Sequence, residues 1–208
     1  MSASAYSLPM FPLGSVLFPH AVASLHVFEP RYRALARDCT QGSGEFGVVL
    51  IERGHEVGGG DVRFGVGTRA RIVEAAEFDD GRWLIAAVGV ARVRIVAWLA
   101  DDPYPRADVE DLDERGGIAD YERVALAERA VRRALAYKAE LNEPAASSLM
   151  ELAEAPDVRA LQLAAVAPIG PLDQQRLLAE DDPQARVERL LALVDEENAV
   201  LAARLAGG

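Results

Sequence analysis

Among the residues that could do chemistry, Lys138 decides most, because it is the one lysine and arginine supplies every other positive charge. A phosphate-cradling P-loop needs Gly-x-x-x-x-Gly-Lys-[Ser/Thr], so that backbone N–H groups surround the phosphates and the lysine reaches them. Lys138 stands instead in Tyr137-Lys138-Ala139, inside a predicted helix, which excludes ATP hydrolysis of that type. Gly65-x-Gly67-x-x-Ala70 matches the dinucleotide fingerprint with its alternate last residue. That motif must run straight into a helix, whereas Arg71-Ile72-Val73 continues a strand pattern, so the glycines read as packing or turn residues. His20, His26 and His55 show no zinc spacing and Cys39 is the single cysteine, so no metal is expected. The carboxylates of residues 111–114 and 195–197 have no second catalytic group to work with and read as solvated linker and helix faces. No nucleophile, base and orienting group can be assembled, and the chain is expected to be non-enzymatic, with no catalytic residue and no cofactor.

With 208 residues, half of them apolar, the chain can bury a substantial core. One cysteine cannot form an intrachain disulfide. Residues 1–20 hold no Lys or Arg for a signal peptide, and Pro9, Pro12 and Pro19 interrupt any apolar run there. No stretch reaches the ~18 apolar residues of a membrane span, so a cytoplasmic location without membrane contact is expected. The formal charge of −11 sits wholly in the second half: residues 1–100 balance, while residues 101–208 carry the excess of acid. An acidic surface repels phosphate backbones at a distance and weighs against non-specific nucleic-acid binding.

The elements that must position any site fall into two unlike parts. Residues 24–28, 46–51, 62–73, 82–90 and 91–99 are β-branched or aromatic runs broken by Gly42-Ser43-Gly44, Gly58-Gly59-Gly60 and Asp79-Asp80-Gly81, which suggests a small barrel or sandwich. Arg69, Arg71, Arg92 and Arg94 alternate with apolar neighbours, the period of a strand with one face in water. One helix interrupts the strands: Pro30 suits its first position, and Tyr32, Leu35, Ala36 and Cys39 share a face that ends near Gly42. Residues 106–112 read as an edge strand. After Gly116-Gly117 the pattern turns helical, first over residues 118–141 with Tyr121, Val124, Val131 and Leu135 on a buried face. Shorter helices follow, punctuated by prolines, and a last helix over residues 183–205 carries a seam of Val187, Leu190, Val194, Leu201 and Leu205 with Asn198 in its gap.

Leu8-Pro-Met-Phe-Pro-Leu13, Val16-Leu-Phe-Pro19, Phe28-Glu-Pro-Arg-Tyr-Arg33, Phe46-Gly-Val-Val-Leu50, Gly65-Val-Gly67 and Gly89-Val-Ala-Arg-Val-Arg-Ile95 follow one another in an order that resembles the amino-terminal, substrate-binding domain of the Lon protease family. Residues 161–166, Asp173-Gln-Gln-Arg-Leu-Leu178 and residues 186–191 are similar to that domain's helical continuation, so the likeness spans nearly the whole chain. Two positions depart from it. His20 stands where the family commonly has glycine, and the strand from Gly89 to Ile95 is spelled differently.

The resemblance implies an α+β fold: a PUA-like β-barrel over residues 1–115 with one inserted helix, then an α-helical bundle over residues 116–208. It also implies a free-standing recognition module without the ATPase and peptidase machinery. The expected partner is unfolded polypeptide or another protein, a separate Lon-type protease included. Lys138 beside Ser147 and Ser148 lacks the setting of that family's Ser–Lys peptidase pair. Glu29, Arg31 and Tyr32 lie in the most diagnostic block, where a capping, ion-pairing and core role competes with direct contact to a substrate. Trp83, Trp98 and Tyr104 are the other aromatics that could anchor an extended peptide if left exposed at the barrel rim. RNA binding is the rival reading, because PUA-like barrels elsewhere bind RNA and Arg63, Arg69, Arg71, Arg92 and Arg94 lie close in sequence.

Overall fold

The computed structural model describes residues 5–53, 62–114 and 117–207, so His55 and Gly58-Gly59-Gly60 lie outside the described residues. The chain divides into two compact units, Met1–Asp113 and Glu114–Gly208.

The first unit holds strands β1 (Tyr6–Leu13) and β2 (Val22–Val27), helix α1 (Pro30–Gln41), and strands β3 (Glu45–Arg53), β4 (Val62–Glu77), β5 (Trp83–Trp98) and β6 (Arg106–Asp111). The order across the sheet is β2-β5-β4-β3-β1-β6, and a further β5–β6 pairing closes five of the strands into a ring. β1 runs parallel to β3, and the other pairs are antiparallel. Closure is possible because β5 is one strand of 16 residues, where the sequence suggests two. Its first half pairs with β2 and its second half with β6, while register shifts against β4 at Arg69/Ala70 and Ile72/Glu74 let the long hairpin coil. β6 is likewise not an edge: β1 holds one side and β5 the other. β1 escapes sequence reading because Pro9 and Pro12 look like breakers, yet both sit in register, opposite Arg106 and Val49.

Two apolar clusters fill this unit. Leu8, Met10, Val49, Val93, Ala107 and Val109 form one. The other joins Tyr32, Leu35, Ala36 and Cys39 of α1 to Phe11, Leu25, Phe46 and Ile85 of the sheet. The family-like fragments meet here. Phe11 stacks on Tyr32 with ring centroids 4.3 Å apart. Thr68 donates its hydroxyl to the carbonyl of Leu17 at 2.6 Å. Gly67 lies where an added Cβ would come within 2.3 Å of the Val48 carbonyl oxygen, and Gly89 where it would come within 2.2 Å of that of Phe18. Arg92, expected to face water, is only 2% exposed and donates to the carbonyl of Asp113. Its cross-strand neighbour Thr68 explains this, because that side of the strands lies beneath the Leu17 segment.

His20 has φ of 65°, the left-handed region that suits glycine, and its N–H donates to Gly89 at 2.8 Å. A non-glycine residue there costs about 1–2 kcal/mol, and glycine returns part of the gain through a looser unfolded chain, about 0.4–1 kcal/mol. His20→Gly is therefore expected to raise stability by about 0.5–1 kcal/mol, read as a higher urea midpoint with an unchanged slope.

The second unit contains α2 (Tyr121–Glu140), α3 (Pro156–Val166), α4 (Pro171–Ala179) and α5 (Pro183–Gly207). Asp120 caps α2 by accepting the N–H of Arg123 at 2.9 Å, and α3, α4 and α5 each open on a proline, whose missing N–H is no loss at that position. Val124, Ala127, Val131 and Leu135 of α2 are buried, as are Val187, Leu190, Val194 and Leu201 of α5. Asn198, in the gap of the α5 seam, donates to the carbonyl of Ala130 at 3.0 Å and so joins the two helices. Tyr121 does not share the buried face expected of it. It is 61% exposed in the first turn, off the buried stripe, with the Arg159 guanidinium 5.8 Å from its ring.

Candidate recognition surface

The residues singled out in the sequence do not converge on one site. Glu29 precedes α1 without a side-chain capping bond and pairs instead with Arg31 at 3.2 Å, while the Arg31 guanidinium lies 4.5 Å from the ring of Tyr32. Tyr32 is buried against Phe11. The diagnostic block thus locks the helix start onto the barrel. Trp83 is a core residue opposite Val27, and Tyr104 is buried with its hydroxyl donated to Asp38 at 2.8 Å. Burial removes both from any surface that a peptide could touch. Trp98 remains partly exposed at the end of β5, its ring covered on one face by Arg63 at 4.3 Å. Cys39 is buried, its thiol pushed up to about 12 by burial and by the charge of Asp38, which leaves it without thiolate reactivity at neutral pH.

The five arginines that keep the RNA reading open are mostly committed elsewhere. Arg69 bridges Glu45 at 3.0 Å and Asp111 at 2.9 Å, and Arg71 meets Glu45 at 2.8 Å. Arg63 lies over Trp98, Arg92 is buried, and only Arg94 is exposed without an ion pair among the described residues. No continuous basic stripe of the kind that tracks a phosphate backbone results from these five.

Glu45 is the hinge of that network, and Tyr6 extends it by donating its hydroxyl to Asp111. Burial alone would push the Glu45 carboxyl up, but hydrogen bonds and charge from Arg71 and Arg69 outweigh it and hold the group below its ordinary range. A carboxyl depressed in the folded state stabilises the fold above its unfolded value, ~4.3, and loses that contribution as pH falls through the folded value. Urea unfolding is therefore expected to become easier as pH drops below about 5, and Glu45→Gln should flatten that dependence. Both tryptophans lie in this unit, so their fluorescence reports it alone.

What sequence reasoning missed is an edge. β2 ends the sheet order, with β5 on one side and no strand on the other among the described residues. Gly89 donates its N–H to Ala21 at 2.9 Å, which makes Ala21, Ala23, Leu25 and Val27 the hydrogen-bonding positions toward β5. The N–H and C=O groups of Val22, Ser24 and His26 consequently point outward. The strand Val-Ala-Ser-Leu-His-Val carries no Lys, Arg, Asp, Glu or Pro, the residues that usually blunt a free edge. Exposed Val22 on β2 and Phe28 just beyond it, with Leu84 on β5, flank this row with apolar surface. The signal was present as an uncharged strand, but nothing in a strand's own residues says which neighbour it lacks.

A closed ring of five strands with a sixth strand beside it, followed by a helical unit, defines an α+β fold. Residues 7–196 match the family model described as the ATP-dependent protease La (LON) substrate-binding domain. The chain belongs to this family. It is 29% identical over 200 residues to a Lon protease of Anaeromyxobacter dehalogenans, covering 93% of this chain and 24% of that protein. A Lon protease 2 of Sorangium cellulosum is 30% identical over 211 residues, covering 96% of this chain and 26% of that protein. The chain thus spans about a quarter of the length of these curated relatives. The crystal structure of a Lon N-terminal domain protein from Xanthomonas campestris superposes with a TM-score of 0.66 at 31% identity, over 90% of this chain and 98% of that one. The N-terminal domain of a Mycobacterium avium complex Lon protease shares the fold, with a TM-score of 0.60 at 18% identity over 91% of this chain and 98% of that one. Among the described residues no helix is long and apolar enough to cross a membrane.

Proposed function

We propose that this chain is a non-catalytic polypeptide-recognition module that takes up extended segments by adding them as a strand to the free side of β2. The carrying observation is the outward row of backbone groups at Val22, Ser24 and His26. A folded protein has few extended backbones to offer such a row, whereas an unfolded one offers many, so strand addition by itself discriminates between them. Main-chain bonds would supply affinity irrespective of sequence, and the apolar surface at Val22, Phe28 and Leu84 would favour segments with alternating apolar residues. The substrate-binding title of the family model agrees with this role.

The test is Ser24→Pro. Proline removes an N–H that faces away from β5, so the β2–β5 ladder survives while the partner loses a donor and meets a ring. Binding of a labelled, permanently unfolded protein by fluorescence anisotropy is expected to weaken at least tenfold, with the circular dichroism spectrum unchanged. The folded form of the same protein should not bind. Equal binding of folded and unfolded forms, or undiminished binding by Ser24→Pro, would overturn the proposal.

A further inference from the structure

We propose that the groove between α2 and α5 is a second, independent docking site, for a polypeptide segment that carries a carboxylate next to an apolar side chain. The groove has a volume of about 330 Å³, and Leu126, Ala130 and Leu191 form its apolar lining. Arg123, Arg129 and Arg133 border it together with Asp195. Arg123, Leu126, Ala130 and Arg133 follow one another by three or four residues, so they form one stripe along α2.

Charge complementarity selects the occupant. Residues 101–208 carry the whole net charge of −11, and a surface of that sign draws basic segments and repels acidic ones. The groove is a local exception. Arg123 is held by Glu188, with Nε 2.7 Å from the carboxylate, and Arg133 by Asp195 at 3.2 Å. These two pairs close the groove's polar rim and leave Arg129 exposed, with no ion pair among the described residues. Counting Glu188, the bordering charges leave one positive charge in excess, and it belongs to Arg129. A guanidinium has five donors in a planar fork and is matched by a carboxylate, while the apolar lining gives a neighbouring Leu or Phe a place to leave water. A bare anion would waste that lining, and a basic segment would meet Arg129 as a like charge.

Three fluorescent peptides of equal length, each with a central leucine flanked by Glu, Gln or Lys, test this on the full chain by anisotropy. The expected order of affinity is Glu above Gln above Lys, with Glu at least fivefold tighter than Lys although the chain is acidic. Arg129→Glu should reverse the Glu and Lys peptides, and Leu126→Ser should weaken all of them. Arg129 is exposed, so the variant is expected to keep the parent's circular dichroism and melting temperature. Lys peptides binding as well as Glu peptides to the parent, or an unchanged order in Arg129→Glu, would overturn the site. Ser24→Pro leaves the order intact if the groove acts alone, which separates failure here from failure of strand addition at β2.

Discussion

Replacing Gly89 by alanine is expected to cost about 4 kcal/mol or more, a large share of the roughly 5–15 kcal/mol that ordinarily holds a domain folded. The added Cβ would lie 2.2 Å from the Phe18 carbonyl oxygen and 2.9 Å from its carbon, against backbone that cannot swing aside as a side chain can. Gly89 also donates to Ala21 and accepts from His20, so moving it would break the contact that draws the segment before β2 across β5. Gly67→Ala is expected to behave alike, because its Cβ would lie 2.3 Å from the Val48 carbonyl oxygen. Gly65→Ala is the control. Nothing lies within 4 Å of its Cβ, so a change within about 1 kcal/mol is expected from the same substitution in the same strand. Tryptophan fluorescence during urea unfolding reads all three variants. A Gly89→Ala protein with the parent's midpoint would show that the close approach is relaxed in solution.

The second large effect is expected in the helical unit. Arg186 is 2% exposed, and its guanidinium donates to the carbonyl of Leu177 at 3.1 Å, to the carbonyl of Glu180 and to the carboxylate of Glu114 at 2.7 Å. The two carbonyls belong to the C-terminal end of α4, where the Leu177 carbonyl also accepts the Glu180 N–H in a long bond of 3.3 Å that the guanidinium reinforces. Arg186 is therefore a side-chain cap placed from the next helix. Methionine fills much of the same space but removes three charge-assisted hydrogen bonds at a buried position, which costs about 3 kcal/mol. Lysine should recover little, since one ammonium cannot reproduce a planar fork that bonds acceptors on different sides. Arg189→Met supplies the comparison: its guanidinium is about half exposed, 3.8 Å from Glu180, and its loss should fall within about 0.5 kcal/mol. Far-UV circular dichroism follows the helices, while the tryptophans of the other unit stay silent. Arg186→Met melting with the parent would refute the capping role.

The elements were legible where one periodicity dominates. Tyr32, Leu35, Ala36 and Cys39 mark the buried stripe of α1, and the prolines at 171 and 183 mark the starts of α4 and α5. Reading failed where the chain's path overrides local preference. Arg92 alternates like a solvent-facing residue and is buried because a distant segment lies over its strand. The candidate sites were harder still. The aromatics Trp83 and Tyr104 went to the core, whereas β2, which was not singled out for a site in the sequence, presents the free backbone.

By itself the sequence determined where most of the local elements lie, because helix caps and apolar periodicity depend on neighbours along the chain. It also carried the family in glycines and aromatics whose spacing is a record of packing. Only the tertiary structure decided which strand keeps an open side and which arginines remain available. Both depend on pairings between residues far apart in the chain: β5 reaching β6 closes the ring past β2, and Glu45, Asp111, Glu188 and Asp195 neutralise guanidiniums that sequence alone leaves looking free.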